Sequence, residues 1–231
     1  MLFRSDRFMS EMNAIFNKSV KTTVSHIQEL TGKVTEVVVA RETSATGVTG
    51  LSTGVSSVDI LIGGHQKSDL TYMAGRPSMG KTAMALTEIL NLALQKVPVV
   101  FFSLEMSSTQ IILRLISMIS GIDGSRMMKY KLTNEEMRKF YHYRDVINAL
   151  PIYIDDSAGL SVFDLRAKVK HMVEKHKIEA VYIDYVQLMS SGVQMRRQGQ
   201  NREQELSVIS RNLKLIAKEC DISVKIGRAH V

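Results

Sequence analysis

Gly75-Arg76-Pro77-Ser78-Met79-Gly80-Lys81-Thr82 follows the apolar run Leu70–Ala74 and opens the helical stretch Lys81–Gln95. The stretch completes the pattern G-x-x-x-x-G-K-[ST], and a strand before it and a helix after it are the context that pattern requires. Glycines let the backbone curl closely around an anionic group, with N–H donors pointing inward at a helix N-terminus. Lys81 is placed to reach phosphate oxygens, and the Thr82 hydroxyl is a hard donor suited to Mg²⁺. The segment therefore predicts a nucleotide-phosphate cradle built from Gly75, Arg76, Pro77, Ser78, Met79, Gly80, Lys81 and Thr82.

Downstream, strand and helix signals alternate. Val97–Ser103 is a continuous apolar run of buried-strand type, and Ser107–Ser120 is a helix apolar on several sides. Thr133 and Glu136 supply a capping box for a polar helix reaching Leu150. Ile152–Ile154 is a strand, Ser161 caps the next helix, Ala180–Ile183 is another buried strand, and Arg202–Glu219 is an amphipathic helix. Ile222–Val224 opens a further strand, which the end of the native segment is expected to interrupt. Strands alternating with helices predict an α/β fold with a largely parallel sheet covered on both faces. Upstream, Asp6–Gly32 has the spacing of one or two amphipathic helices, and Thr31–Gly54 reads as a linker with a short strand at Val34–Ala40.

A phosphate cradle needs acidic groups at the same sheet rim. Asp184 ends the strand Val181-Tyr182-Ile183 and is the candidate metal-organising carboxylate. Glu105 closes Val99–Leu104, expected to lie beside the Leu70–Ala74 strand, and is the candidate that activates water; its alternative is a cap on the next helix. Asp155 and Asp156 end a third strand at the rim, where a turn-forming pair is the simpler reading. Arg196, Arg197 and Arg202 lie in or beside the polar loop Ser190–Asn201. They predict either sequence-independent contacts to nucleic-acid phosphates or a solvated charged loop.

Arg76–Thr82, Phe102-Ser103-Leu104-Glu105-Met106 and Ile183-Asp184-Tyr185-Val186-Gln187-Leu188-Met189 together resemble the ATPase domain of DnaB-type replicative DNA helicases. Leu51-Ser52-Thr53-Gly54 with Asp59, Leu150–Asp156, Gly159-Leu160-Ser161 and Ser207–Lys214 extend the likeness over about 50–224. The resemblance implies a RecA-like P-loop core in a ring hexamer that couples ATP hydrolysis to translocation on single-stranded DNA. It assigns ATP to Gly75–Thr82, Mg²⁺ to Thr82 and Asp184, and the catalytic roles to Glu105 and Lys81. Primase and a helicase loader are the partners it implies, with a cytoplasmic location. Further strands, DNA-contacting loops and an arginine finger are expected beyond Val224, so residues 6–224 alone should show little ATPase activity. Two readings remain open beside it: a recombinase-like or clock-type relative that does not unwind, and a nucleotide-gated scaffold that does not hydrolyse. His65 stands where this family usually has Phe, and Lys67-Ser68 where it usually has Pro-Gly.

Composition adds exclusions. One cysteine among 231 residues rules out an intramolecular disulfide framework and a multi-cysteine zinc site. No apolar run reaches the roughly 18–20 residues that span a bilayer. The formal charge of +7 permits a polyanionic partner. Both ends carry a different signal. Met1–Ser5 back-translates, with GTG as start codon, to GTG CTC TTC CGA TCT, and Ile226–Val231 to ATC GGA AGA GCA CAC GTC after the last letters of an AAG codon. The strings are reverse complements through AGATCGGAAGAGCAC, the adapter joined to both ends of DNA for short-read sequencing. The expected organisation is therefore adapter scar at 1–5, a linker with an amphipathic helix at 6–50, the ATPase domain at 51–224, incomplete at its C-terminus, and adapter scar at 225–231 with Lys225 a hybrid codon. Setting aside Arg4, Lys225 and Arg228 lowers the charge from +7 to +4.

Overall fold

A computed structural model describes residues 26–43, 47–76, 78–184, 189 and 202–229. The chain divides into two compact units, Met1–Ala45 and Thr46–Val231. In the first, Ile27–Thr43 is helix α1, where a strand at Val34–Ala40 was expected. Valines favour strands only when a neighbouring strand gives them a surface to pack on. Here Glu29 in the first turn and Arg41 in the last complement the helix dipole, and Val34, Val37 and Val38 are exposed.

The second unit alternates as the sequence predicts. Its elements are α2 (Ser56–Ile62), β1 (Leu70–Gly75), α3 (Lys81–Leu94), β2 (Val99–Ser103), α4 (Ser108–Ser120), α5 (Gly124–Lys129) and α6 (Asn134–Asn148). They continue with β3 (Ile152–Asp155), α7 (Val162–His176), β4 (Ala180–Asp184), α8 (Arg202–Cys220) and β5 (Ser223–Ala229). The short helices α2 and α5 were not anticipated. Caps fall where the sequence places them: Ser107 and Thr133 form capping boxes with Gln110 and Glu136, and Ser161 accepts from the Asp164 N–H.

The five strands form one parallel sheet in the order β1-β5-β4-β2-β3. β2 and β4 are buried along their whole length, as strands covered on both faces must be. One face packs Phe101 and Tyr182 under Leu86 and Ile89 of α3 and Ile111 and Leu115 of α4. The other packs Phe102, Ile183 and Val224 under Leu165 and Val169 of α7 and Ile209 and Leu213 of α8.

Two expectations are corrected. β2 is not beside β1: β5 and β4 stand between them, so the strand leading to Glu105 neighbours the one ending in Asp184. A strand formed late in the chain inserts next to β1, which sequence order alone does not reveal. Nor does the last strand stop at Val224; it runs to Ala229, pairing Leu70 with Val224 through Gly75 with Ala229. Backbone pairing is indifferent to side-chain origin, and Ile226 supplies the buried apolar residue the pleat requires there.

The departures near β1 have local reasons. Ser68 has φ 63, a left-handed value that favours the usual glycine. Its hydroxyl donates to Asp221 at 2.8 Å and its N–H to the Ile222 carbonyl at 3.0 Å, which offsets the strain. Lys67 pairs with Glu179 at 3.3 Å.

Candidate nucleotide-binding site

β1 delivers the chain to the rim at Gly75, and α3 carries it away from Lys81. Between them Ser78 and Gly80 adopt φ 63 and 85, which turn the backbone back on itself. Gly80 is the N-cap of α3 and provides no capping side chain. The first-turn N–H groups of α3 therefore keep their donor capacity at the positive end of the helix, the arrangement that receives phosphate. Lys81 Nζ donates to the carbonyls of Gly75 at 2.9 Å and Arg76 at 3.1 Å, so it rests across the loop it belongs to. Met79 is exposed, and Pro77 lies outside the described residues.

The Thr82 hydroxyl donates to Asp184 Oδ2 at 2.5 Å, joining the start of α3 to the end of β4. Asp184 is buried. A hydroxyl and a carboxylate held together beside a phosphate cradle are the hard oxygen donors that Mg²⁺ takes, so the residues present fit that ion. The next rim position belongs to Glu105. Ser103 pairs with Asp184 across β2 and β4, and the Leu104 N–H donates to the Asp184 carbonyl at 2.9 Å. Ser103 Oγ donates to the Met106 carbonyl at 2.7 Å and accepts from the Met106 N–H, which closes the bend that holds Glu105. Glu105 is exposed and makes no ion pair among the described residues. The helix-cap alternative falls to Ser107, which fills that position itself.

Asp155 and Asp156 are engaged elsewhere. Asp155 accepts from Lys168 Nζ at 2.6 Å and from the Ser157 N–H at 2.9 Å; Asp156 accepts from the Ser108 N–H at 2.7 Å. Burial alone would raise the Asp155 carboxyl, but the Lys168 and Ser157 bonds outweigh it and hold it below the ordinary aspartate range. This is the turn-and-cap geometry the sequence suggested. Asp59 is likewise structural: it accepts from the Ser52 hydroxyl at 2.6 Å and the Thr53 N–H at 2.8 Å. Asn91 of α3 donates to the Thr53 carbonyl at 3.1 Å, tying that loop to the cradle helix. Arg196 and Arg197 lie outside the described residues; Arg202 begins α8.

The sequence reading missed a buried polar group below the cradle. Glu88 of α3 is fully buried and meets His65 Nε2 at 3.1 Å, the Tyr182 hydroxyl at 3.2 Å and Lys225 Nζ at 2.5 Å. A signal was available: Lys81, Ala85, Glu88 and Leu92 follow helical spacing on the face turned to the sheet, so a carboxylate stands where an apolar residue is expected.

The family model described as DnaB-like helicase C terminal domain matches residues 50–226. The chain belongs to that family. Among similar proteins, a probable replicative DNA helicase of Trieres chinensis is 43% identical over 177 residues, covering 76% of this chain and 38% of the relative. The replicative DNA helicase DnaB of Geobacillus stearothermophilus is 37% identical over 178 residues, covering 77% of this chain and 38% of its own. A solved structure described as an ATPase domain superposes with a TM-score of 0.78 at 30% identity, covering 88% of this chain and 70% of that one. The chain thus spans less than two fifths of the length of these two curated relatives. Membership of the DnaB-like family agrees with the parallel sheet and with the cradle at the carboxyl end of β1. Among the described residues, no helix is long and apolar enough to cross a membrane.

Proposed function

We propose that this chain is the ATP-hydrolysing domain of a replicative DNA helicase that works as a ring hexamer on single-stranded DNA in the cytoplasm. The observation that carries the reading is the Thr82–Asp184 contact beneath an uncapped helix N-terminus, with the unpaired Glu105 on the next strand. Residues 75–82 bind the phosphates of ATP through backbone N–H groups, and Lys81 exchanges its contacts to the loop carbonyls for phosphate oxygens. Thr82 and Asp184 would hold Mg²⁺, which when bound neutralises phosphate charge. Glu105 takes the proton from the attacking water, and its freedom from ion pairs leaves the carboxylate available for this. Arg196, Arg197 and Arg202 supply salt-sensitive contacts to the DNA backbone. Primase is a partner consistent with a similar structure, described as a DnaB-like replicative helicase and its interactions with primase, at a TM-score of 0.76 and 28% identity over 95% of this chain and 52% of that one. A helicase loader completes the set, and an arginine finger from the neighbouring subunit completes each site. Residues 1–5 and 225–231 are proposed to be adapter-derived, which the nucleotide sequence reads directly.

Glu105→Gln in the full-length protein tests the chemistry. ATP hydrolysis is expected to fall by about 10²–10⁴-fold, the usual contribution of a general base, with nucleotide binding retained. Unchanged turnover contradicts the role given to Glu105.

A further inference from the structure

The Glu88 cluster lies on the face of the sheet that carries the cradle helix, and its geometry repeats that of the metal-binding pair. Tyr182 and Asp184 are two apart on β4 and share a face. Thr82 and Glu88 both belong to α3. Thr82–Asp184 at 2.5 Å and Glu88–Tyr182 at 3.2 Å are therefore two successive rungs between one helix and one strand. Six helical residues rise about 9 Å and two strand residues about 6.6 Å, so the rungs run in step along antiparallel axes. Two rungs fix both the position and the rotation of α3 over β4, which a single rung cannot do.

The third anchor is Lys225, the register partner of Tyr182 across β4 and β5. Its ammonium meets both Glu88 oxygens at 2.5 Å and lies 3.4 Å from His65 Nε2. Burial alone would raise the Glu88 carboxyl; hydrogen bonds from His65 and Lys225 outweigh this and hold it below the ordinary glutamate range. Burial and the adjacent Glu88 charge push the Tyr182 phenol well above its ordinary value, so it remains a donor. His65 Nε2 carries the proton given to Glu88, because the buried Nδ1 has no hydrogen-bond partner among the described residues and is the cheaper site for a bare lone pair. One small cavity is lined by Lys81 and Asp184 together with Tyr182 and Lys225, so the cluster and the cradle share a wall.

We propose that Glu88 is a positioning residue of the nucleotide site, clamping α3 to β4 and β5 so that Thr82 and Asp184 keep their spacing, with Lys225 as its counter-ion and His65 as its second donor. The proposal rests on the nucleotide-binding reading of the cradle and explains a histidine at position 65. A purely structural cluster would support folding without affecting the affinity for the metal, which separates the two roles.

The direct variant, Glu88→Leu, strands a buried Lys225 and endangers folding. Tyr182→Phe removes one rung and keeps the ring, and Glu88→Gln keeps the shape of the carboxylate. In the full-length protein, binding of a fluorescent non-hydrolysable ATP analogue is measured against Mg²⁺ concentration, alongside thermal melting. The expected result is a cooperative melt with a Mg²⁺ half-saturation raised about tenfold in both variants, the low end of the range for groups that hold metal ligands in place. A lower melting temperature with unchanged half-saturation overturns the proposal. Failure of the wild type to bind the analogue at any Mg²⁺ concentration overturns the nucleotide-binding reading beneath it. The proposal also requires a basic residue at position 225 in the gene itself; a native codon for an acidic or apolar residue overturns the counter-ion assignment.

Discussion

Replacing Asp184 with Asn separates binding from stability more sharply than any other single change at this site. Asp184 is 5% exposed, and among the described residues its carboxylate has one hydrogen-bond partner, the Thr82 hydroxyl at 2.5 Å. An amide keeps the shape and can still accept that bond, while the burden of a buried charge disappears. The nucleotide-free protein should therefore melt within about 1 kcal/mol of wild type, or above it. Ligand-induced stabilisation should behave differently. At a Mg·ATP concentration about 100 times the dissociation constant, wild type gains about 2.7 kcal/mol, which for a domain of about 150–250 residues is roughly 5–10 °C. If losing a metal ligand weakens binding about 100-fold, the gain at the same concentration falls to about 0.4 kcal/mol, or roughly 1 °C. Thermal melts of both proteins with and without Mg·ATP measure all four values. A variant that keeps the full ligand shift would refute the metal role, and one destabilised by more than about 3 kcal/mol without ligand would make Asp184 a structural residue.

Gly80→Ala meets no heavy atom within 4 Å of the new Cβ, so its cost is the strained φ of 85 alone. Denaturant unfolding should show a loss of about 1–2 kcal/mol while nucleotide affinity falls further, and an unchanged affinity would count against the cradle. Ile89→Ala opens a cavity between α3 and the sheet at a fully buried position, and urea titration should register a loss of about 2–5 kcal/mol; less than about 1 kcal/mol would contradict the packing described. Asp155 has a folded-state pKa below its unfolded one, so its contribution is present above the ordinary value of 3.8 and is lost as pH falls through the folded pKa. The stability gap between wild type and Lys168→Met should thus be open at pH 6 and close in strong acid; a gap independent of pH would remove the Asp155–Lys168 pair as its cause.

Much of this arrangement was legible from residue order. The cradle is local, written in consecutive residues, and Thr133, Ser161 and Ser107 mark their helices through contacts three residues away. Asp184 was legible too, because a carboxylate ending a buried run must emerge at the sheet rim. Strand order was not: nothing within Ser223–Ala229 states that it will slide between β1 and β4, so Glu105 was assigned the wrong neighbour while its place at the rim was right. Helix α1 was misread because three adjacent valines carry a strand preference that needs a partner strand to act. Glu88 was overlooked since its partners arrive from His65, Tyr182 and Lys225, which only the folded sheet brings together.

Unwinding of a forked DNA substrate by the full-length protein tests the central claim most directly. ATP-dependent strand separation, abolished by Lys81→Ala and absent without Mg²⁺, is the predicted result. ATP hydrolysis stimulated by single-stranded DNA but with no strand separation would contradict it and favour a RecA-like or clock-type ATPase that does not unwind.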